Sequence, residues 1–242
     1  MRLRIDLVAS VAKDPKRADL NEDTYSLGEA RFALSDGASE SYDSRTWARL
    51  ITQAYELDQG VGVPWVADRV RAYLGSTDFE SLSWSKQAAF ERGSFATLLG
   101  LELAPNGRDV AVLAIGDSLA VHVREGAMLD SFPFRHAEQF DARPQLLSTL
   151  AAANDFVGQP DFITNSSITW SVRPGDQILL VTDAVGHWLL ACEEALTTLG
   201  IVSTDEDFER LVADRRLDKE MRLDDSTVLR IAIDGDESEQ QA

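Results

Sequence analysis

A chain of 242 residues, 44% hydrophobic and 26% charged, is long enough to bury a substantial core. Its 41 acidic residues against 23 basic ones give a net charge of −18, which repels nucleic acid phosphates and anionic lipid surfaces and argues against both as partners. No stretch approaches the roughly 20 uninterrupted apolar residues of a membrane helix, and Asp6 cuts short the apolar run behind Arg2 and Arg4 that a secretory signal would need. A soluble cytoplasmic protein is therefore expected. The single cysteine, Cys192, excludes an internal disulfide and, following Trp188-Leu189-Leu190-Ala191, reads as a buried structural thiol.

In chain order, strand-like runs bounded by Gly, Pro, Asn and Asp fall at 3–9, 24–28 and 31–35. Two helices follow, where Trp47, Leu50, Ile51, Ala54 and Tyr55 and then, behind Pro64, Val66, Val70, Tyr73 and Leu74 return at helical spacing. A third helix is expected over 83–91. Strands are expected at 95–103, 109–115, 119–124 and 127–132, with Pro105-Asn106-Gly107 and Glu125-Gly126 as tight hairpin turns, and further strands at 163–172 and 176–182. One helix runs from Ala184 through Cys192 and onward, another spans 205–216 with Phe208, Leu211 and Val212 on one face, and a last strand covers 226–233. One domain is expected over 1–233, with 234–242 a disordered acidic tail. Hairpins imply antiparallel sheets, and helices inserted between groups of strands favour an α+β sandwich over a doubly wound parallel sheet.

The acids carry the chemistry. Asp36 ends Phe32-Ala33-Leu34-Ser35, Asp117 follows Leu113-Ala114-Ile115-Gly116, and Asp183 ends Ile178-Leu179-Leu180-Val181-Thr182. Glu22-Asp23 and Asp224-Asp225 each open a strand. Any one such acid is ordinarily a turn residue or helix cap. Five acidic sites at strand ends that can share one edge would repel each other unless they bind cations, and hard oxygen ligands suit Mg²⁺ or Mn²⁺. Zinc is disfavoured because Cys192 is alone and His122, His136 and His187 lack zinc-ligand spacing. Paired metals in such a site clamp a phosphoryl group and activate water, so phosphoester hydrolysis is the reaction the pattern points to.

The blocks Asn21-Glu22-Asp23, Ser35-Asp36-Gly37, Gly116-Asp117-Ser118, Thr182-Asp183 and Asp224-Asp225-Ser226-Thr227, with Arg173-Pro174-Gly175-Asp176 before the late Asp strand, resemble in order and spacing the signatures of the protein phosphatase 2C family. The likeness spans about residues 3 to 233 and is that of a bacterial-type minimal catalytic domain of this metal-dependent Ser/Thr protein phosphatase family. It implies a four-layer α-β-β-α sandwich, two antiparallel sheets flanked by helices, with two or three Mn²⁺ or Mg²⁺ ions at one end. By that likeness Asp36 bridges both metals, Asp23 acts directly or through water, and the Gly37 carbonyl ligates one metal. Asp183 and Asp224 hold the other, Glu22 supports from behind, and Asp117 helps bind a third ion. The implied substrate is a phosphoserine or phosphothreonine protein, a Ser/Thr kinase or its target, acted on by a monomer.

Departures from the pattern bear on the third ion: Ala184 follows Asp183 where the family usually has Gly, and His187 replaces an acidic residue. His187 is a candidate for a third-metal ligand or for proton transfer. Arg17 is the candidate cation for the phosphate, one position further from the Glu-Asp pair than the pattern has it, with Lys13 and Lys16 as fallbacks. Two rival readings stand beside this one. A catalytically weak or inactive phosphatase-like module would bind a phosphoprotein or kinase. The string Gly116-Asp117-Ser118-Leu119 matches the name-giving motif of a family of serine esterases, but it lies mid-chain, and no His follows His187.

Overall fold

Leu229, Ile231 and Ile233 pack into one apolar cluster while Val228, on the opposite face of the same strand, packs into another, so a fully buried strand serves two cores at once. The computed structural model describes residues 1–39, 41–58 and 60–235. Its strands are β1 (Arg2–Val11), β2 (Thr24–Leu27), β3 (Arg31–Ser35), β4 (Phe95–Ala96), β5 (Leu98–Leu103), β6 (Asp109–Ile115), β7 (Leu119–Arg124), β8 (Ala127–Phe132), β9 (Leu147–Ser148), β10 (Ser167–Ser171), β11 (Gln177–Val181) and β12 (Ser226–Asp234). The helices are α1 (Ser44–Leu57), α2 (Val63–Ser76), α3 (Trp84–Glu91), α4 (Phe162–Ser166), α5 (Asp183–Ala191), α6 (Ala195–Gly200) and α7 (Asp205–Leu217).

Two five-stranded antiparallel sheets form, in the orders β1-β12-β11-β7-β8 and β10-β6-β5-β3-β2, and β4 pairs with β9 as a small ribbon. Phe32, Leu34, Leu99, Leu101, Val110 and Val112 of one sheet meet Ile178, Leu180, Leu229 and Ile231 of the other in a dry central layer. The outer face of the first sheet is covered by α5, α6 and α7 through Trp188, Leu199 and Phe208, and that of the second by α1 and α2 through Trp47, Ile51, Val66 and Tyr73. The result is the α+β sandwich of two antiparallel sheets flanked by helices. Because β11 and β12 are covered on both faces, they read as near-continuous apolar runs. Arg230 is the exception in β12; its guanidinium is buried and donates to the carbonyls of Leu199, Gly200 and Val202 at the end of α6.

Several boundaries differ from expectation. The start of the run at 163–172 is helical: α4 is held by Asn165 N–H on Asp161 O and by Ser167 Oγ on Ile163 O, and only Ser167–Ser171 pairs with β6. The run at 95–103 is broken at Thr97, whose N–H is diverted to Asp36 O. Asp234, expected to begin the tail, closes β12 and pairs with Arg4; residues 236–242 of that tail lie outside the described residues. Cys192 is partly rather than fully buried, against the core beneath α5.

Candidate active site

The antiparallel registers bring the acidic strand ends to one end of the sandwich. Thr24 pairs with Ser35, so Asp23 and Asp36 lie together, and Val181 pairs with both Leu119 and Val228, which sets the neighbourhoods of Asp183, Asp117 and Asp224 side by side. Gly116 has φ +104, and a Cβ there would stand 2.6 Å from Thr97 Cγ2, so only glycine passes the chain through this turn. Gly37 is equally enclosed: a Cβ would stand 3.0 Å from the carbonyl oxygen of Glu22 and from Ser44 Cβ.

The support around each acid is specific. Asp23 Oδ2 accepts hydrogen bonds from Thr227 Oγ1 at 2.6 Å and Thr182 Oγ1 at 3.2 Å, while Oδ1 is buried without a hydrogen-bond partner. Asp36 N–H donates to Thr97 Oγ1 at 2.8 Å, and Thr97 Oγ1 stands 2.8 Å from Ser118 Oγ. The Ser118 hydroxyl is thus engaged with a threonine, and no imidazole is among its hydrogen-bond partners, which removes the base a nucleophilic serine needs. Asp183 opens α5 and also buries an unpartnered Oδ1. Glu22 accepts from Ser44 Oγ and from Lys13 Nζ at 3.4 Å.

Electrostatics tie the acids together. Burial drives the Asp36 carboxyl well above the usual carboxylate range, reinforced by Asp23, Asp183, Asp117 and Asp224. Burial does the same at Asp23, where Asp225 and Asp183 add to it and the Thr227 and Thr182 hydroxyls oppose it. Asp183 is pushed up to about 7, first by burial and then by Asp117 and Asp224. Asp117 rises by burial, with Arg222 opposing. Among the described residues, no group of three or more Asp, Glu, His or Cys side chains is arranged to hold a metal ion as it stands. The donors nevertheless fit hard divalent ions in kind: they are carboxylate oxygens, two of them buried and unpartnered, on groups that raise one another's pKa.

The cations are distributed differently from expectation. Arg17 sits in an exposed 3₁₀ segment, Pro15–Leu20, and forks onto Asp19 with both bonds at 3.2 Å. Lys13, by contrast, reaches Glu22 and Ser39 and feels the charges of Asp224 and Asp225. Lys16 is exposed, and its main-chain N–H bonds the side chain of Asp14. His187 lies edge-on to Phe140 with ring centroids 6.0 Å apart, and its Nδ1 is buried without a partner. Its basicity is lowered by burial first and then by Arg222.

Two roles escaped sequence reasoning, that of Asp225, named only as part of an acidic block, and that of Arg222. Asp225 is buried and accepts the main-chain N–H groups of Lys13 and Glu22, each at 2.7 Å, so it fastens the segment that leaves β1 to the one that leads into β2. The doubled acid at 224–225 was the available signal. Arg222 donates to Phe140 O and Asp141 and stands close enough to Asp117 and Asp183 to lower both. Nothing in its local sequence marks it.

No protein-family model matches this chain, and no curated protein matches its sequence. Solved structures do match. The serine/threonine phosphatase PstP/Ppp of Mycobacterium tuberculosis superposes with a TM-score of 0.64 at 20% identity, covering 97% of this chain and 100% of that one. The catalytic domain of PstP in complex with two manganese ions gives 0.57 at 20% identity over 97% and 99%. PppA, a regulatory component of the type VI secretion system (T6SS) in Pseudomonas aeruginosa, gives 0.55 at 20% identity over 96% and 98%. At such identities the likeness establishes a fold shared with Ser/Thr phosphatases over nearly the whole chain.

Proposed function

We propose that the chain hydrolyses phosphoserine or phosphothreonine in proteins at a binuclear Mn²⁺ or Mg²⁺ centre. The observation that carries this reading is the gathering of Asp23, Asp36, Asp117, Asp183 and Asp224 at one end of the sandwich, where burial and mutual charge raise Asp23, Asp36, Asp117 and Asp183. The fold shared with a phosphatase crystallised with two manganese ions supports it. The metals, when bound, would supply Lewis acidity and a water nucleophile active at neutral pH.

Each residue then has a defined task. Asp36, held through its main chain by Thr97, would bridge the ions, with the Gly37 carbonyl beside it. Asp23 presents Oδ1 because Thr182 and Thr227 occupy Oδ2. Asp183 and Asp224 would hold the second ion, and Asp117 a third. Glu22 is fixed by Lys13 and Ser44 behind that centre. A phosphate entering from the open side needs a cation: Lys13 is already beside the acids, whereas Arg17 reaches it by leaving Asp19. His187, with a buried unpartnered Nδ1, is the group proposed to move a proton or ligate a third ion.

The second reading, a catalytically weak or inactive module that binds a phosphoprotein, is favoured by one observation: no three donors among the described residues stand ready around one point. The physiological partner on either reading is a phosphoprotein, a kinase or its target, met by a monomer in the cytoplasm. Turnover of an aryl phosphate with Mn²⁺ and with EDTA separates the readings. Metal-dependent release of phosphate is expected; a folded chain inert at every metal concentration would leave only the binding role.

A further inference from the structure

A groove of ≈ 650 Å³ opens directly beside the acidic centre. Its near wall is Ala38 and Ser39, the residues that follow Asp36-Gly37, and its floor includes Phe95 and Leu146. Ala38 N–H bonds Phe95 O at 2.9 Å, so the wall is fixed to β4, and Leu146 lies against the turn at Gly116, next to Asp117. Ser39 also accepts from Lys13, which donates in turn to Glu22, so the groove wall is tied to the acidic end by one side chain.

Two arginines rim the groove, Arg92 and Arg143. Both are exposed, and neither has a carboxylate partner among the described residues; Arg92 spends one N–H on Ala88 O. In a chain of net charge −18, two exposed guanidinium groups on the rim of one groove, neither paired with a carboxylate among the described residues, present positive charge against the sign of the whole. An extended peptide laid over Phe95 and Leu146 would bury apolar surface while its acidic side chains met the arginine forks.

We infer that this groove receives the residues flanking the substrate's phosphorylated side chain, and that Arg92 and Arg143 select flanks carrying Asp or Glu. The inference rests on the phosphatase reading for the position of the phosphorylated residue. Lysine-flanked sequences are disfavoured at the same rim by like charge.

The test uses the full chain with Mn²⁺ and a pair of phosphothreonine peptides that differ only in flanking Asp against flanking Lys. Steady-state KM and calorimetric Kd are both read, with p-nitrophenyl phosphate as a substrate that has no flank. The Asp-flanked peptide is expected to have a KM and Kd about three- to tenfold lower, the range for a pair of partly exposed ion pairs, and the difference should shrink in high salt. Arg92→Ala/Arg143→Ala should narrow the ratio to within about twofold, and Arg92→Glu/Arg143→Glu should turn it toward the Lys-flanked peptide. A wild-type ratio already within about twofold, or one that the double alanine variant leaves unchanged, overturns the subsite. Failure to hydrolyse p-nitrophenyl phosphate would instead overturn the phosphatase reading, and the calorimetric ratio would still decide the groove.

Discussion

Thr227 donates its hydroxyl to Asp23 Oδ2 at 2.6 Å, a bond from β12, an inner strand of one sheet, to the entry of the edge strand β2 of the other. It holds the Asp23 carboxylate by one oxygen and leaves Oδ1 buried without a hydrogen-bond partner. Thr227→Val keeps the strand shape and removes this donor. The expected outcome is a loss of about tenfold or more in Mn²⁺ affinity by calorimetry, as for other residues that orient a ligand, with a loss of about 1–3 kcal/mol of stability because Asp23 Oδ2 and Ser10 Oγ each lose a partner. Unaltered affinity would show that Asp23 is not a ligand oriented by Thr227.

Asp36→Asn removes the proposed bridging charge while preserving size. Turnover is expected to fall by more than about a hundredfold, since loss of a metal clamp costs several kcal/mol of barrier and 1.36 kcal/mol is tenfold. In EDTA the variant should melt no lower than the parent, because it relieves repulsion within the cluster. Retention of a tenth or more of the activity would contradict bridging.

The pH dependence of the metal-free protein follows from Asp183. Its folded pKa, about 7, lies above the ordinary carboxylate value, so the folded state keeps the proton longer than the unfolded one. That contribution is complete below the unfolded pKa and is lost as pH rises toward and through 7; Asp23 and Asp36 act in the same direction. In EDTA the melting temperature should fall by roughly 5 °C or more between pH 5 and pH 8, given ~2–4 °C per kcal/mol for a chain of this size. Saturating Mn²⁺ should raise the melting temperature and flatten this slope, because the ligating carboxylates are then ionised throughout. A flat profile in EDTA would mean that the acids do not repel one another.

Lys13 and Arg17 make competing claims on the phosphate. Lys13→Ala is expected to raise KM for a phosphopeptide by about tenfold with a smaller change in kcat, and Arg17→Ala by about twofold, the size of an exposed ion pair. The opposite order in steady-state kinetics would show that Arg17 leaves Asp19 when substrate binds.

Asp225→Ala would strand the main-chain N–H groups of Lys13 and Glu22. Two charge-assisted bonds lost from a buried carboxylate should cost about 2–4 kcal/mol in urea denaturation and loosen metal binding at the same time. Asp225→Asn, which keeps one acceptor, should fall between.

What the sequence disclosed divides along physical lines. The paired apolar runs of β3, β6, β11 and β12 and the helical spacing of Trp47 to Tyr55 were legible because burial on one or both faces imposes a period on the residues themselves. The short β9 and the 3₁₀ segments Ala137–Asp141 and Ala151–Gly158 were not, since two paired residues or a tight three-residue turn impose no apolar period. In the site, the order of the acids showed where carboxylates would gather, but not which of Asp224 and Asp225 would be consumed by main-chain donors. The approach of Arg222 to Asp117 and Asp183 is wholly a product of the tertiary fold.

Ser10 and Thr227 touch at 2.7 Å across β1 and β12, although 217 positions separate them in the chain. The strand that β1 must pair with follows it in synthesis by those 217 positions. At about 5–20 residues per second, β1 waits roughly 10–40 s without the strand it pairs with, and Asp224 joins the other acids only after that delay. Asp23, Asp36, Asp117 and Asp183 are therefore all synthesised before β12, and a nascent chain that has not yet made β12 does not hold the five acids together. The closing of β12 between β1 and β11 thus acts as a timer, so that the proposed competence to bind metal would arrive together with the completed sheet.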